Sequence, residues 1–243
     1  MLKLENICWT APDGKRVLNG LSDTIPDGKL IAITGPNGSG KTTLARLIAG
    51  IEQPSAGRIL LDGEDITSLD VTERARRGIS FAFQQPVRFK GLTVRQLIEI
   101  AAGNNMKTDR LCDILSSVGL CANEYLNREV NDTLSGGEIK RIEIATVIAR
   151  HTKLTVFDEP EAGIDLWSFA NLIQVFQRLR ETLSGTLIII SHQERILRIA
   201  DEIMLLDGGR IRASGPADEM LGNVLKADSA MRACHKQEAV FNE

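Results

Sequence analysis

Leu30-Ile31-Ala32-Ile33-Thr34 runs directly into Gly35-Pro36-Asn37-Gly38-Ser39-Gly40-Lys41-Thr42-Thr43. The apolar run has the length and composition of a buried strand. The glycines mark a turn, and Thr42 to Gly50 reads as a helix stopped by Gly50 and Pro54. The turn satisfies the form G-x-x-x-x-G-K-[ST] in full. Backbone N–H groups in such a turn converge on an anion at a helix N-terminus, and side chains at Gly35, Gly38 and Gly40 would crowd it. The expected cradle is Gly35, Pro36, Asn37, Gly38, Ser39, Gly40, Lys41, Thr42 and Thr43. Lys41 is expected to reach the β- and γ-phosphates of a nucleotide, and the Thr42 hydroxyl to hold Mg²⁺.

Working outward, Leu2 to Thr10 and Val17 to Ile25 read as strands joined by the turn Pro12-Asp13-Gly14-Lys15. Arg58 to Leu61 and Ile79 to Phe83 look like further strands. From Thr93 to Arg150 the periodicity is helical, and Thr93-Val94-Arg95-Gln96 has capping-box form, opening a helix towards Ala102. Alternation then resumes: strand Leu154 to Phe157, helix Leu166 to Leu183, strand Leu187 to Ile190, then Ile203 to Leu206 and Arg210 to Ala213. Strands alternating with helices imply an α/β fold whose mostly parallel sheet is covered on both faces. The expected organisation is one domain over 1–243: a nucleotide-binding core from 1–84 and 151–227, an inserted helical subdomain over 85–150, and a loose tail over 228–243.

Bulk properties narrow the function. The chain has 243 residues, a net charge of -3 and no apolar run near the ~20 residues that span a bilayer. No field favours nucleic acid or an anionic membrane, and the N-terminus lacks a signal-peptide core, so a cytoplasmic protein without direct membrane insertion is expected. Arg74, Arg76 and Arg77 read as a solvated helical face. Cys8, Cys112, Cys121 and Cys234 form no C-x-x-C pair, which argues against a zinc or disulfide framework. Cys112 and Cys121 are expected to be buried and inert, and Cys234-His235 to be an exposed coincidence.

A second constellation follows Arg150. The strand Leu154-Thr155-Val156-Phe157 ends in Asp158-Glu159, placing two carboxylates at the sheet edge where α/β folds bind ligands. Asp158 is expected to support Mg²⁺ and Glu159 to polarise the attacking water as general base. Between the two sites lies Leu134-Ser135-Gly136-Gly137-Glu138. Ser135 and Glu138 have capping-box spacing, and the paired glycines bare backbone N–H groups at a second helix N-terminus.

With these residues in place the chain resembles the nucleotide-binding ATPases of the ABC superfamily along nearly its whole length. Leu134 to Glu138 matches the signature segment, with Glu where Gln is commoner. Gln84 matches the Q-loop glutamine, Ala162-Gly163-Ile164-Asp165 the D-loop, and Ser191-His192 the switch histidine. The resemblance implies a P-loop core with an N-terminal antiparallel β-subdomain and an inserted helical subdomain. It implies two ATP molecules sandwiched in a head-to-tail homodimer, Lys41 gripping one side of the phosphates and Ser135 and Gly137 of the second copy the other. Gln84 would sense Mg²⁺ and the water, so that Thr42, Gln84 and Asp158 serve the metal, and His192 would contact the γ-phosphate. The position where the family often stacks adenine on an aromatic ring is Ala11 here; Trp9, two residues earlier, is either a substitute or core.

The usual output of such an ATPase is membrane transport. Four segments instead resemble the SufC branch, soluble ATPases of the SUF iron–sulfur cluster assembly machinery: Ala82-Phe83-Gln84-Gln85-Pro86-Val87, Ser135 to Arg141, Glu161 to Asp165, and His192 to Leu197. That likeness implies a SufB/SufD-like scaffold partner, docked near Pro86 to Gly91. The alternative is the ATPase subunit of a membrane transporter.

Overall fold

The computed structural model describes residues 1–84, 89–182 and 185–222; the expected tail lies outside them. Strand β3 (Leu30–Thr34) is buried at every residue. Leu30 and Ala32 face one apolar cluster while Ile31 and Ile33 face another. Strand β8 (Thr186–Ile190) divides in the same way, Leu187 and Ile189 to one side, Ile188 and Ile190 to the other. A strand covered on both faces has no polar side, which is why these segments read as unbroken apolar runs.

With β6 (Ile79–Ala82), β7 (Leu154–Asp158), β9 (Glu202–Asp207) and β10 (Arg210–Pro216) they form a six-stranded sheet in the order β10-β9-β3-β8-β7-β6. The pairs β9–β3, β3–β8, β8–β7 and β7–β6 are parallel and β9–β10 antiparallel. A second, antiparallel sheet contains β1 (Leu2–Thr10), β2 (Arg16–Ile25), β4 (Ala56–Leu61) and the two-residue β5 (Glu64–Asp65), in the order β2-β1-β4-β5. It packs with the phosphate-side helix α1 (Lys41–Ala49) on one face of the parallel sheet. The other face is covered by α6 (Gly136–Arg150), α7 (Leu166–Thr182) and α8 (Glu194–Ile199), with α3 (Val94–Ala102) and α4 (Thr108–Ser117) packed on α6. The short α5 (Ala122–Tyr125) lies between α4 and α6 in the chain.

Local chemistry explains the helix starts. Thr93 caps α3 with both capping-box bonds to Gln96, as its spacing predicts. Asp70 and Glu73 do the same for α2 (Val71–Arg76), a helix the sequence reading passes over.

The solvated reading of the arginine cluster is corrected at Arg74, which is wholly buried. Its Nη1 donates to the Leu47 and Ile48 carbonyls at 2.5 and 3.0 Å, Nη2 to Thr67 at 2.8 Å and Nε to Leu69 at 3.0 Å. The guanidinium thus serves carbonyls at the end of α1, where the Gly50 amide, at 3.2 Å, also donates to Leu47 O. Burial lowers its pKa to about 10. Arg76 is exposed, as expected. The cysteine reading also needs correction: Cys112 is half-buried but Cys121 is exposed, because it stands outside α5 at its N-cap.

Candidate active site

Parallel strands bring distant parts of the chain to one edge. Ile33 pairs with Ile190, Ile190 with Asp158, and Ala82 with Phe157. The segments leaving β3, β8, β7 and β6 therefore emerge side by side, carrying the phosphate loop, Ser191-His192, Asp158-Glu159 and Phe83-Gln84. Backbone bonds lock this level: Ser191 N donates to Ile33 O at 3.1 Å and Glu159 N to Ile190 O at 3.0 Å.

The phosphate loop is sterically committed to glycine. A Cβ on Gly35 would lie 1.9 Å from the Leu206 carbonyl oxygen, at φ +143°. Gly38, at φ +78°, has nothing within 4 Å of a Cβ position, so the loop is open there. The Lys41 ammonium lies within the loop, donating to the Gly35 and Pro36 carbonyls at 2.8 and 2.9 Å. Burial pushes its pKa below the ordinary lysine value, against the raising influence of Glu159 and Asp158. The Ser39 hydroxyl is buried without a partner among the described residues. An orphan donor, an open glycine and an inward ammonium fit a polyphosphate.

Thr42 Oγ1 donates to Asp158 Oδ1 at 3.1 Å. Burial raises the Asp158 pKa, and the Thr42 bond opposes the shift. These are hard oxygen donors of the kind Mg²⁺ takes. No cluster of three or more His, Cys, Asp or Glu side chains among the described residues would hold a metal by itself. The ion's other ligands would be phosphate oxygens and water.

Glu159 has φ 45°, a left-handed conformation that residues other than glycine seldom adopt. Its Oε2 accepts from Gln84 Nε2 at 2.7 Å, and its Oε1 lies 3.9 Å from His192 Nε2. The carboxylate, amide and imidazole singled out from sequence thus form one cluster.

Two further contacts were not anticipated. Ser191 Oγ donates to Glu161 Oε1 and accepts from Gln193 N at 3.0 Å, tying the segment after β8 to the one after β7. Burial raises the Glu161 pKa. The almost fully buried Lys140 of α6 donates to the Phe83 carbonyl and, at 3.1 Å, to Glu143 Oε2. It anchors the backbone next to Gln84. An acid after Asp158-Glu159 and a lysine in an apolar helix face were the only sequence signals.

Ser135 and Gly137 stand elsewhere. Ser135 caps α6 in a capping box, accepting from Glu138 N at 3.3 Å while Glu138 Oε2 accepts from Ser135 N at 2.6 Å. Accepting leaves the hydroxyl hydrogen available to an anion. Among the described residues no hydrogen bond joins 135–138 to the phosphate loop. Trp9 is half-buried against the core cluster that includes α1. Of the expected docking segment, residues 86–88 lie outside the described residues, and Phe89 and Lys90 are exposed.

The family described as ABC transporter matches residues 18–162. An uncharacterized ABC transporter ATP-binding protein from Methanocaldococcus jannaschii is 37% identical over 228 residues, 90% of each chain. The sulfate/thiosulfate import ATP-binding protein CysA from Synechocystis is 36% identical over 209 residues; the match covers 84% of this chain and 57% of that protein. Among solved structures, a dimeric ATP-binding cassette in a post-hydrolysis state with ADP and Pi superposes with a TM-score of 0.78 at 25% identity. That match covers 89% of this chain and 99% of the other.

Proposed function

The chain belongs to the ABC transporter family and is an ATP-hydrolysing cassette; from that premise we propose that it is a motor subunit whose dimer closes on ATP and opens after hydrolysis. The observation that carries this is the convergence of Gln84, Glu159 and His192 beside a phosphate loop, Thr42 and Asp158. Lys41, Ser39 and the loop amides hold the phosphates. Thr42, Asp158 and Gln84 would hold Mg²⁺, which would screen phosphate charge. Glu159 orients and deprotonates the attacking water, Gln84 fixes its carboxylate by a hydrogen bond, and His192, beside that carboxylate, meets the γ-phosphate. Ser135 and Gly137 of a second copy approach the γ-phosphate from the other side, in a head-to-tail homodimer.

Closure is useful only if it moves a partner. A groove of about 310 Å³ beside Gln84 is lined by Phe81, Phe83, Phe89, Leu97, Ile100 and Ile139. We assign it to an apolar helical segment of the partner. The names of the relatives favour a membrane-embedded transporter component, with this subunit on its cytoplasmic side. Among the described residues no helix is long and apolar enough to cross a membrane. A second reading, a SufC-type motor acting on a SufB/SufD-like scaffold, rests on the four segments around Gln84, Ser135, Glu161 and His192. Affinity capture from cells, with and without detergent, separates them. A multi-spanning protein recovered only with detergent supports transport. A soluble scaffold recovered without detergent supports cluster assembly and overturns transport.

A further inference from the structure

Trp167 is the most exposed large apolar side chain among the described residues, at 83%, and its neighbour Leu166 is 68% exposed. Both open α7 directly after Asp165, whose Oδ1 accepts from the Trp167 and Ser168 amides at 2.9 and 3.0 Å. This helix start is packed against the start of α6. A Cβ on Gly137 would lie 2.6 Å from the Ser168 side chain, and one on Gly136 would lie 3.2 Å from the Gly163 carbonyl oxygen. Gly137 is buried against Ser168, and the exposed Ser135 and Gly136 therefore adjoin 163–168 in one continuous surface, made possible by the absence of side chains at Gly136 and Gly137. Whatever covers Ser135 and Gly136 comes to rest beside Trp167.

We propose that Trp167, with Leu166, is an apolar anchor for a second copy of this chain, exposed in the monomer and buried when the dimer closes on ATP. The inference rests on the head-to-tail pairing proposed above. It adds a contact that the phosphate chemistry does not require. Tryptophan is the residue type most concentrated at energetic centres of interfaces. A two-fold dimer uses each such contact twice, so one side chain per chain weights the equilibrium doubly.

The chain contains Trp9 and Trp167 only, so a Trp9→Phe, Glu159→Gln variant reports Trp167 alone. Sedimentation with Mg-ATP reads the dimer, and emission with acrylamide quenching reads the side chain. The expected result is a dimer whose emission shifts to the blue and whose quenching falls about threefold or more, as for a tryptophan leaving water. ADP should leave a monomer with unshifted emission. In the Glu159→Gln background, Trp167→Ser should weaken dimerisation at least about tenfold, while mant-ATP affinity of the dilute monomer stays unchanged. A dimer with Trp167 still exposed, or an equally tight Trp167→Ser dimer, overturns the anchor and leaves the pairing intact. Saturating Mg-ATP with no dimer overturns the pairing, and the anchor with it.

Discussion

Replacing Arg74 with methionine keeps most of the apolar stem and removes the guanidinium. The structure gives that group hydrogen bonds to the carbonyls of Leu47, Ile48, Thr67 and Leu69, all from a wholly buried position. Hydrogen bonds from a charged donor contribute roughly 1.5–3 kcal/mol each, so the set amounts to about 6–12 kcal/mol before its cost. The cost is visible in the pKa, which burial lowers to about 10. Holding the charge inside offsets a few kcal/mol of that. Water reaching some of the freed carbonyls reduces the remainder, and a net loss of about 3–5 kcal/mol is expected, typical of breaking a buried charge network. Urea unfolding of the full chain, followed by circular dichroism, measures it as a lower midpoint at unchanged slope. Arg74→Lys should recover part of the loss, since one ammonium cannot span all the carbonyls. Arg76→Met, on an exposed side chain, should stay within about 0.5 kcal/mol. A loss below about 1 kcal/mol for Arg74→Met would refute the view that this arginine holds the end of α1.

Gly35→Ala should destabilise the fold by more than about 4 kcal/mol or prevent folding, because its Cβ meets the Leu206 carbonyl at 1.9 Å; a normal melting temperature would contradict the loop geometry. Glu159→Gln should bind ATP but hydrolyse it at least about 100-fold more slowly, and turnover near the parent rate would remove Glu159 from the chemistry. Lys41→Ala should weaken ATP binding in a filter or fluorescence titration, since it deletes the ammonium inside the loop; undiminished affinity would count against the phosphate assignment. Glu161→Gln tests a pH dependence. The folded carboxyl titrates above its ordinary value, so between the unfolded and folded pKa the native state binds more protons, and this group's contribution to stability declines as pH rises through that window. The variant should therefore gain on the parent as pH rises from acid to neutral in paired melting curves, and parallel curves would refute a buried ionised Glu161.

The architecture was largely legible because its signals are local. Leu30 to Ile33 and Leu187 to Ile190 are apolar on both sides of the chain, which only a doubly covered sheet demands. The Thr93 box announces α3 by spacing alone. The Asp70–Glu73 box carries the same signal and was overlooked in a charged stretch. What escaped depends on tertiary packing. Nothing in the sequence distinguishes Arg74, which enters the core, from Arg76, which does not. Nor does it show that Lys140 would reach the Phe83 carbonyl or Ser191 the Glu161 carboxylate, since those partners are 57 and 30 residues away. The edge cluster of Gln84, Glu159 and His192 was foreseeable because parallel strands deliver their following residues to one rim. Under the proposed pairing, Ser135 and Gly137 complete the site of a second copy.

That last point is best tested by mixing inactive partners. A Lys41→Ala chain lacks a working phosphate loop, and a Ser135→Arg chain blocks the exposed start of α6. A site shared between chains leaves one unimpaired pairing in every hybrid dimer, so the mixture should recover up to about a quarter of the parent ATPase rate. A mixture no more active than the two variants measured apart would place the whole reaction within a single chain and contradict the account.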